Sequence, residues 1–231
     1  MDWLIQRLET TGSTNDDAKA AAESGAPAGT VIWALRQESG RGRRGRAWSS
    51  PEGNLYCSVL LRPETRNYGH FSFVAALAIG DVVCDLLPKA QAELKWPNDV
   101  LVNGKKISGL LLEAGQGYLV IGMGLNVAHF PENPLYPATS LAAENAVSPP
   151  LETILNALLE NLGHWAETLQ KSGFEPVREA WLARARKGEM RVRLPDGEIE
   201  GRFSDLDSDG NLHLLLPGGT TRKFAAGDVF F

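Results

Sequence analysis

The sequence predicts an α+β domain followed by a small all-β domain, because three patterns divide the chain. Apolar residues recur at helical spacing over residues 71–87 and 151–169. Residues 30–36 and 54–61 are short apolar runs that are typical of buried strands. From residue 189 onward, short strand-like segments alternate with turns. Helices and strands are therefore mixed in the first part of the chain, and strands alone are expected in the last part.

The change of pattern places a domain boundary near Gly188. We expect an α+β domain at residues 1–187 and a β domain at residues 188–231, in which turns such as Asp209-Gly210 separate the strands. A unit of this size and pattern favours a five-stranded barrel or sandwich.

The first helix is predicted near the N-terminus. Ser13 or Thr14 can cap it, and Asp16 and Asp17 lie about where a capping box places its acid. Alanines follow until Gly25, where the helix should stop.

The middle of the chain predicts a helix, a hairpin and a strand. The helix at 71–87 should end at Pro88. Asn103-Gly104 is a type I′ turn signal, and it lies at the centre of a hairpin predicted for residues 98–114. Residues 118–127 read as a strand whose glycines indicate a close approach to its backbone.

Two further helices complete the first domain. Residues 150–170 carry one apolar stripe, which predicts a helix packed on the core. A shorter helix is expected at residues 175–186.

Composition and the N-terminus bear on where the protein works. The formal net charge of −5 disfavours a general nucleic-acid binder. Cys57 and Cys84 lie in apolar surroundings, which predicts two free, buried thiols in a reducing compartment. The first residues lack the pattern of a signal peptide, and the apolar runs are much shorter than the roughly 20 residues of a membrane span. We expect a cytoplasmic protein without a membrane partner.

The most informative segment runs from Gln37 to Trp48. Four arginines lie within residues 41–46 and alternate with glycines. Arginine offers a planar fork of donors for phosphate or carboxylate, and glycine exposes backbone N–H groups. We find no obvious acid within the segment to pair with these cations, so we expect an anion-binding loop that orders on its ligand.

Three other interpretations of this segment stay open at this point. Gly40, Gly42 and Gly45 fit the dinucleotide-binding spacing, but a strand follows where that motif requires a helix. The second alternative is a basic loop that contacts RNA or DNA. The third is a solvated charge run, which leaves the glycine alternation unexplained.

A second informative region joins Lys95-Trp-Pro-Asn-Asp99 to Lys105-Lys106-Ile-Ser-Gly109. Asp99 can hold Mg²⁺ on a nucleotide, because this ion usually takes one or two carboxylates together with phosphates. A lysine can neutralise the charge that develops during nucleotidyl transfer. The alternative is a surface hairpin with solvated lysines.

Taken in order, these motifs resemble those of the biotin protein ligases. The matching segments are Ser13-Thr14-Asn15, Gln37, Gly40-Arg-Gly-Arg-Arg-Gly-Arg46 with Trp48, Lys95-Trp-Pro-Asn-Asp99, Lys106-Ile-Ser-Gly109 and Gly122-Met-Gly-Leu-Asn126. The resemblance implies a catalytic domain with a mixed β-sheet and helices, related to class II aminoacyl-tRNA synthetases, and a C-terminal SH3-like β-barrel. The Ser-Thr-Asn motif arrives at residue 13, so we expect a stand-alone ligase without an N-terminal DNA-binding domain.

The resemblance also implies roles for particular residues. Lys106, Arg43 and Asp99 would be catalytic, with Mg²⁺ near Asp99. Biotin would contact Ser13, Thr14, Asn15, Gln37, Gly40, Arg41, Gly42, Arg43, Lys106 and Gly109. ATP and the adenylate would contact Arg41, Arg43, Arg46, Trp48, Lys106 and Asn126.

The implied activity converts biotin and Mg-ATP to biotinyl-5′-AMP and then transfers biotin to a lysine of a carboxylase biotin carrier domain, such as that of acetyl-CoA carboxylase. We expect no DNA partner, and a homodimer stays open. The alternatives are a lipoate-type protein ligase and a non-enzymatic nucleic-acid-binding protein.

Overall fold

A computed structural model describes residues 2–65, 67–132, 136–195 and 197–231. Its first part contains strands β1 (Leu4–Thr11), β2 (Thr30–Gln37), β3 (Leu55–Leu61), β4 (Ala92–Lys95), β5 (Asp99–Val102), β6 (Lys105–Gly115) and β7 (Tyr118–Leu125). The helices are α1 (Thr14–Glu23), α2 (His70–Leu86), α3 (Leu151–Ser172) and α4 (Phe174–Ala183). The last part contains β8 (Glu189–Leu194), β9 (Gly197–Leu206), β10 (Leu212–Leu215), β11 (Thr221–Phe224) and β12 (Asp228–Phe230).

The first seven strands form one mixed sheet in the order β1-β2-β3-β7-β6-β5-β4. β1 and β2 run parallel and are joined through α1, whereas the other neighbouring pairs are antiparallel. The predicted α+β class with a mixed sheet is confirmed.

The sheet is covered on both faces. Ile32, Leu60 and Val120 pack against α1. Val59 and Ile121 belong instead to the larger core beneath α2 and α3. Neighbouring strand residues point to opposite faces, so the near-continuous apolar runs of β2, β3 and β7 reflect burial on both sides.

The hairpin prediction is confirmed in detail. Asn103 and Gly104 connect β5 to β6 with φ values of 51° and 75°, which is the left-handed pair that a type I′ turn requires. A β-bulge between Val100 and Leu101 interrupts the β5–β6 ladder next to Lys106. Such bulges redirect side chains beside functional sites.

Two strands were not predicted, and the capping box predicted for the first helix does not form, although Ser13 is its N-cap. β1 lies at the sheet edge with Leu4 and Ile5 exposed, so it shows no alternation, and β4 has only four residues. Ser13 is the N-cap of α1, but its side chain makes no capping hydrogen bond. Instead of closing a capping box, Asp17 accepts from Thr11.

The two thiols differ, which corrects the expectation that both are buried. Cys57 is buried on β3, whereas Cys84 on α2 is exposed. Val82 and Val83 lie on the buried side of α2, whereas Cys84, the next residue along the helix, faces outward.

The last five strands form an antiparallel sheet in the order β11-β10-β9-β8-β12. In the described residues β11 and β12 are its edges, so no hydrogen-bonded closure supports the barrel. This sheet packs on the first domain: Trp96 Nε1 donates to the Gly210 carbonyl at 3.0 Å. A Cβ on Gly210 would lie 2.6 Å from the Phe73 ring, so the turn can approach the first domain only as glycine.

Among the helices that the structure describes, none is long and apolar enough to cross a membrane.

Candidate active site

One cavity of about 560 Å³ collects the residues that the sequence singled out. It lies between the mixed sheet, the loop at residues 38–48, called here the arginine-glycine loop, and the start of β12. Every predicted site residue lines it: Ser13, Thr14, Asn15, Gln37, Gly40, Arg41, Gly42, Arg43, Arg46, Trp48, Asp99, Lys106, Gly109 and Asn126. Segments far apart in sequence therefore meet in one place.

Four uncharged polar side chains line one part of the cavity, and we call Ser13, Thr14, Asn15 and Gln37 its neutral end. The Thr14 backbone N–H and hydroxyl both donate to Gln37 Oε1, at 2.9 and 3.1 Å. Beneath them, Ser58 Oγ lies 2.7 Å from Thr14 Oγ1 and 2.6 Å from Asn15 Oδ1. These groups are fixed by one another, so they present oriented donors and acceptors to a ligand.

Acids behind the neutral end fix one arginine of the loop. Arg41 Nη2 bonds Asp16 Oδ1 at 2.6 Å and lies 3.1 Å from Glu113 Oε2. Hydrogen bonding to Arg41 lowers the pKa of Asp16 to about 2. Burial favours a higher pKa for Glu113, but hydrogen bonds from Asn15 and Lys19 outweigh burial and lower it.

Trp48 occupies the space left by two glycines. A Cβ on Gly124 would lie 2.6 Å from Trp48 Cε2, and one on Gly109 would lie 3.0 Å from Trp48 Cζ3. Gly122 similarly makes room for Asn15, whose Oδ1 would be 2.2 Å from an added Cβ. The glycines that indicated a close approach to β7 are explained by these two side chains. Trp48 Nε1 is buried without a hydrogen-bond partner in the described residues, so it is a donor available to a ligand.

Charged side chains line another part of the cavity, and we call Arg43, Arg46, Lys95, Asp99 and Lys106 its charged end. Lys106 Nζ lies 2.6 Å from Asp99 Oδ1, and Lys95 Nζ lies 3.5 Å from Asp99 Oδ2. Despite the short distance, Asp99 Oδ1 has no hydrogen bond of acceptable geometry, so we regard its contact with Lys106 as a poorly aligned ion pair. Burial lowers the pKa of Lys95, which also lies 4.3 Å above the Tyr136 ring.

Three arginines of the arginine-glycine loop pair with acids that lie outside the segment, which the sequence did not predict. Arg44 Nη1 lies 2.8 Å from Asp228 Oδ2, and Arg46 Nη2 lies 2.6 Å from Asp228 Oδ1. Arg43 donates to Asn98 Oδ1 at 3.3 Å and to the Gly227 carbonyl at 3.4 Å. The partner acid Asp228 lies on β12, more than 180 residues away, which the loop sequence alone could not indicate.

Asn126 is buried at the rim of the cavity. Its Nδ2 donates to the Thr139 carbonyl at 3.0 Å, and its backbone N–H donates to Ile107. The side chain is therefore held in one orientation by the chain itself.

Sequence reasoning missed four lining or supporting residues. Lys95 stood within a quoted motif but was given no role, whereas Glu113, Tyr136 and Asp228 carried no local signal. Among the described residues, no group of three or more His, Cys, Asp or Glu side chains could hold a metal ion by itself.

Comparison with known proteins gives consistent matches. Residues 7–126 match the model of the biotin/lipoate A/B protein ligase family, and residues 189–231 match the biotin protein ligase C-terminal domain. A biotin–[acetyl-CoA-carboxylase] ligase of Paracoccus denitrificans is 38% identical, over 97% of this chain and 99% of that protein. A ligase of the same name from Mycobacterium tuberculosis is 39% identical, over 95% of this chain and 85% of that protein.

Among solved structures, a biotin protein ligase from Aquifex aeolicus in complex with biotin and ATP superposes with a TM-score of 0.85. It is 28% identical, and the match covers 98% of this chain and 97% of that one.

Proposed function

Since the chain belongs to the biotin/lipoate A/B protein ligase family, we propose that its cavity makes biotinyl-5′-AMP and passes biotin to a carrier domain. The activity is that of a biotin protein ligase, and its substrates are biotin, ATP and a lysine of the biotin carrier domain of acetyl-CoA carboxylase. The observation that carries the proposal is the division of one cavity into a neutral end and a charged end.

The neutral end suits the ureido ring of biotin. That ring offers uncharged N–H donors and a carbonyl acceptor, and Ser13, Thr14, Asn15 and Gln37 offer uncharged partners. Their buried hydrogen bonds support a site that is formed before the ligand arrives. Gly40, Gly42 and Gly109 let the backbone and neighbouring side chains come close to the ligand.

The charged end suits the reacting carboxylate and the triphosphate. A biotin carboxylate oxygen bonds to the α-phosphorus, and the bond between that phosphorus and the bridging oxygen breaks to release pyrophosphate. Lys106, with Arg43 and Arg46, would hold negative charge that develops on the phosphate oxygens. Trp48 and Asn126 line the same cavity and would contact the adenine.

Mg²⁺ fits the same end as a companion of ATP. Asp99 Oδ1 is buried and lacks a well-aligned hydrogen bond, which suits a cation ligand once Lys106 turns towards phosphate. The ion would neutralise phosphate charge, with Asp99 as its protein ligand.

In the second step, the acceptor amine attacks the carbonyl carbon of the mixed anhydride. The acyl–phosphate bond breaks, AMP leaves with the bonding electrons, and the amine loses a proton. The anhydride is sensitive to water until then, so the arginine-glycine loop would shield it. Arg41 and Arg43, on either side of Gly42, would hold the loop over the ligand.

A lipoate-type ligase is the nearest alternative, and the polar side chains of the neutral end disfavour it. The dithiolane ring of lipoate is apolar and would leave the polar groups of Thr14, Asn15 and Gln37 without ligand partners. The match to the biotin protein ligase C-terminal domain also favours biotin.

Nucleic-acid binding by the arginine-glycine loop is not supported by its contacts. Arg41, Arg44 and Arg46 pair with carboxylates, and Arg43 is directed to Asn98 and Gly227. A loop held in this way leaves little free charge for phosphates outside the cavity. We therefore propose no DNA partner.

Several finer points belong to the same proposal. We propose a synthetase-like catalytic domain at residues 1–187 and an SH3-like barrel at residues 188–231, supported by the mixed sheet and the five antiparallel strands. A cytoplasmic location is proposed because carboxylase carrier domains are substrates there. A homodimer is part of the same proposal, and the sheet edge at β1 would offer the surface for it.

Biotin-dependent exchange between ATP and labelled pyrophosphate tests the first step directly. We expect exchange with biotin and none with lipoate. Addition of a biotin carrier domain should then give one biotinylated lysine and free AMP. Exchange that requires lipoate, or no exchange with either acid, would contradict the proposal.

A further inference from the structure

Asp228 is an acid on the wall of a cavity that is otherwise rich in cations. Its side chain is only 13% exposed, and each of its oxygens faces a different arginine of the arginine-glycine loop. A carboxylate beside a triphosphate site repels the negatively charged ligand, so we expect Asp228 to have another role that compensates for this repulsion.

The backbone around Asp228 is tightly placed. β12 pairs with β8, with Asp228 opposite Arg193 and Val229 opposite Val192. Val229 is 2% exposed, and a Cβ on Gly227 would lie 2.5 Å from Val192 Cγ1. The carboxylate therefore stands on a fixed support in the C-terminal domain.

The loop side of the contact is less constrained. Arg44 and Arg46 are 41% and 38% exposed, and Arg44 has a left-handed backbone with φ of 57°. Arg46 also donates to Tyr136 Oη at 3.3 Å, and the Tyr136 ring packs 5.0 Å from Phe230 on β12. Two ion pairs thus join this part of the loop to a single short strand, and Tyr136 links Arg46 to Phe230 of the same strand.

We propose that Asp228 is a positioning residue: it holds the arginine-glycine loop over the charged end through Arg44 and Arg46, and thereby slows the escape of biotinyl-AMP. The inference rests on the proposed function. Among the described residues, the ion pairs of Asp228 are with Arg44 and Arg46 of the loop, whereas Lys106 pairs with Asp99. The loss of Asp228 should therefore affect retention of the intermediate more than binding of biotin. Under this proposal, the C-terminal domain holds the arginine-glycine loop in place through the carboxylate of Asp228.

Asp228→Asn tests the proposal with little change of shape. Labelled biotinyl-AMP is formed on the enzyme without acceptor, and its release is followed after addition of excess unlabelled biotinyl-AMP. Two partly buried ion pairs are lost, so we expect release to be about 5- to 30-fold faster. Biotin affinity measured without ATP should not change, because within the described part of the chain Thr14, Asn15 and Gln37 hydrogen-bond to residues other than Asp228. Asp228→Glu should recover part of the retention.

Asp205→Asn is the matched control. Asp205 also joins the C-terminal domain to the first domain, through contacts of 2.8 Å from Arg178 Nη2, but it lies outside the cavity. If Asp228 acts through the loop, Asp205→Asn should retain biotinyl-AMP as the wild type does. Equal losses in both variants would show that general domain docking is responsible and would overturn the proposal.

Arg44→Gln provides the second test. By itself, Arg44→Gln should accelerate the release of biotinyl-AMP less than Asp228→Asn does, because the ion pair between Asp228 and Arg46 is still present. Combined with Asp228→Asn it should add nothing, since the pair is already broken. Unchanged or slower release from Asp228→Asn would overturn the inference, the latter by showing that Asp228 competes with the nucleotide. A wild-type enzyme that forms no biotinyl-AMP would instead contradict the proposed function.

Discussion

The two ends of the cavity are stabilised in different ways. At the neutral end, Thr14, Asn15 and Gln37 are satisfied by hydrogen bonds to nearby parts of the first domain. At the charged end, Lys95 and Lys106 share Asp99, and the loop arginines share Asp228 from the second domain.

This difference indicates that the two ends of the cavity have different roles in binding and catalysis. Uncharged groups that hydrogen-bond to one another can stay buried without a ligand, because no unpaired charge destabilises the folded state. Cations cannot gather in a water-poor site without anions, so internal carboxylates hold them until phosphate arrives. We expect mutations at the neutral end to weaken ground-state binding, and mutations at the charged end to affect chemistry and retention.

Lys106→Ala should show the largest effect at the charged end. Removing one fixed charge from the reacting centre should slow adenylate formation by about 10²–10³-fold. Biotin-dependent ATP–pyrophosphate exchange measures this step. Lys105→Ala is the neighbouring control, because Lys105 pairs with Glu144 outside the cavity. Near-normal exchange by folded Lys106→Ala would remove this lysine from the mechanism.

Arg43→Gly should allow biotinyl-AMP to escape from the active site before biotin is transferred. If about 2–3 kcal/mol of charge-assisted hydrogen bonding is lost, biotinyl-AMP should escape roughly 30–150-fold faster. Free anhydride acylates exposed amines, so serum albumin mixed with the variant, biotin and ATP should become biotinylated. Albumin labelled no more than by the wild type, with adenylate formation intact, would contradict a retention role.

Gln37→Ala should distinguish the neutral end from the charged end. It leaves the Thr14 N–H without its acceptor and removes one partner for biotin, so we expect biotin to bind about 5- to 30-fold more weakly. At saturating biotin, the KM for ATP should be unchanged. Titration calorimetry with biotin and exchange kinetics with ATP separate the two quantities. A comparable change in both would show that the ends are not independent.

Sequence reasoning located the neutral end and the loop well because their signals are local. Turn residues such as Asn103-Gly104 fix their own backbone conformation, and motifs such as residues 95–99 keep their chemistry within a few positions. The apolar periodicity of α2 and α3 identified both helices to within two residues at each end.

What the sequence did not reveal depends on contacts between distant segments. Nothing near Asp228 indicates that its carboxylate meets a loop that lies more than 180 residues away. Glu113 likewise gains its role only when β6 lies beside α1. β1 escaped prediction because an exposed edge strand needs no apolar alternation.

Asp16→Asn should produce the smallest effect, a loss of folding stability that depends on pH. Arg41 lowers the pKa of Asp16 from its ordinary 3.8 to about 2. The ionised carboxylate therefore stabilises the folded chain above pH 3.8, and this contribution disappears as the pH falls towards 2. The Asp16 side chain is 53% exposed, so solvent screening keeps the effect small. Urea unfolding should show the variant to be less stable than the wild type by a constant amount between pH 5 and 7 and equally stable near pH 2, with Arg41→Gln abolishing the difference. A difference between Asp16→Asn and wild type that persists in the Arg41→Gln background would show that Asp16 stabilises the fold through another partner.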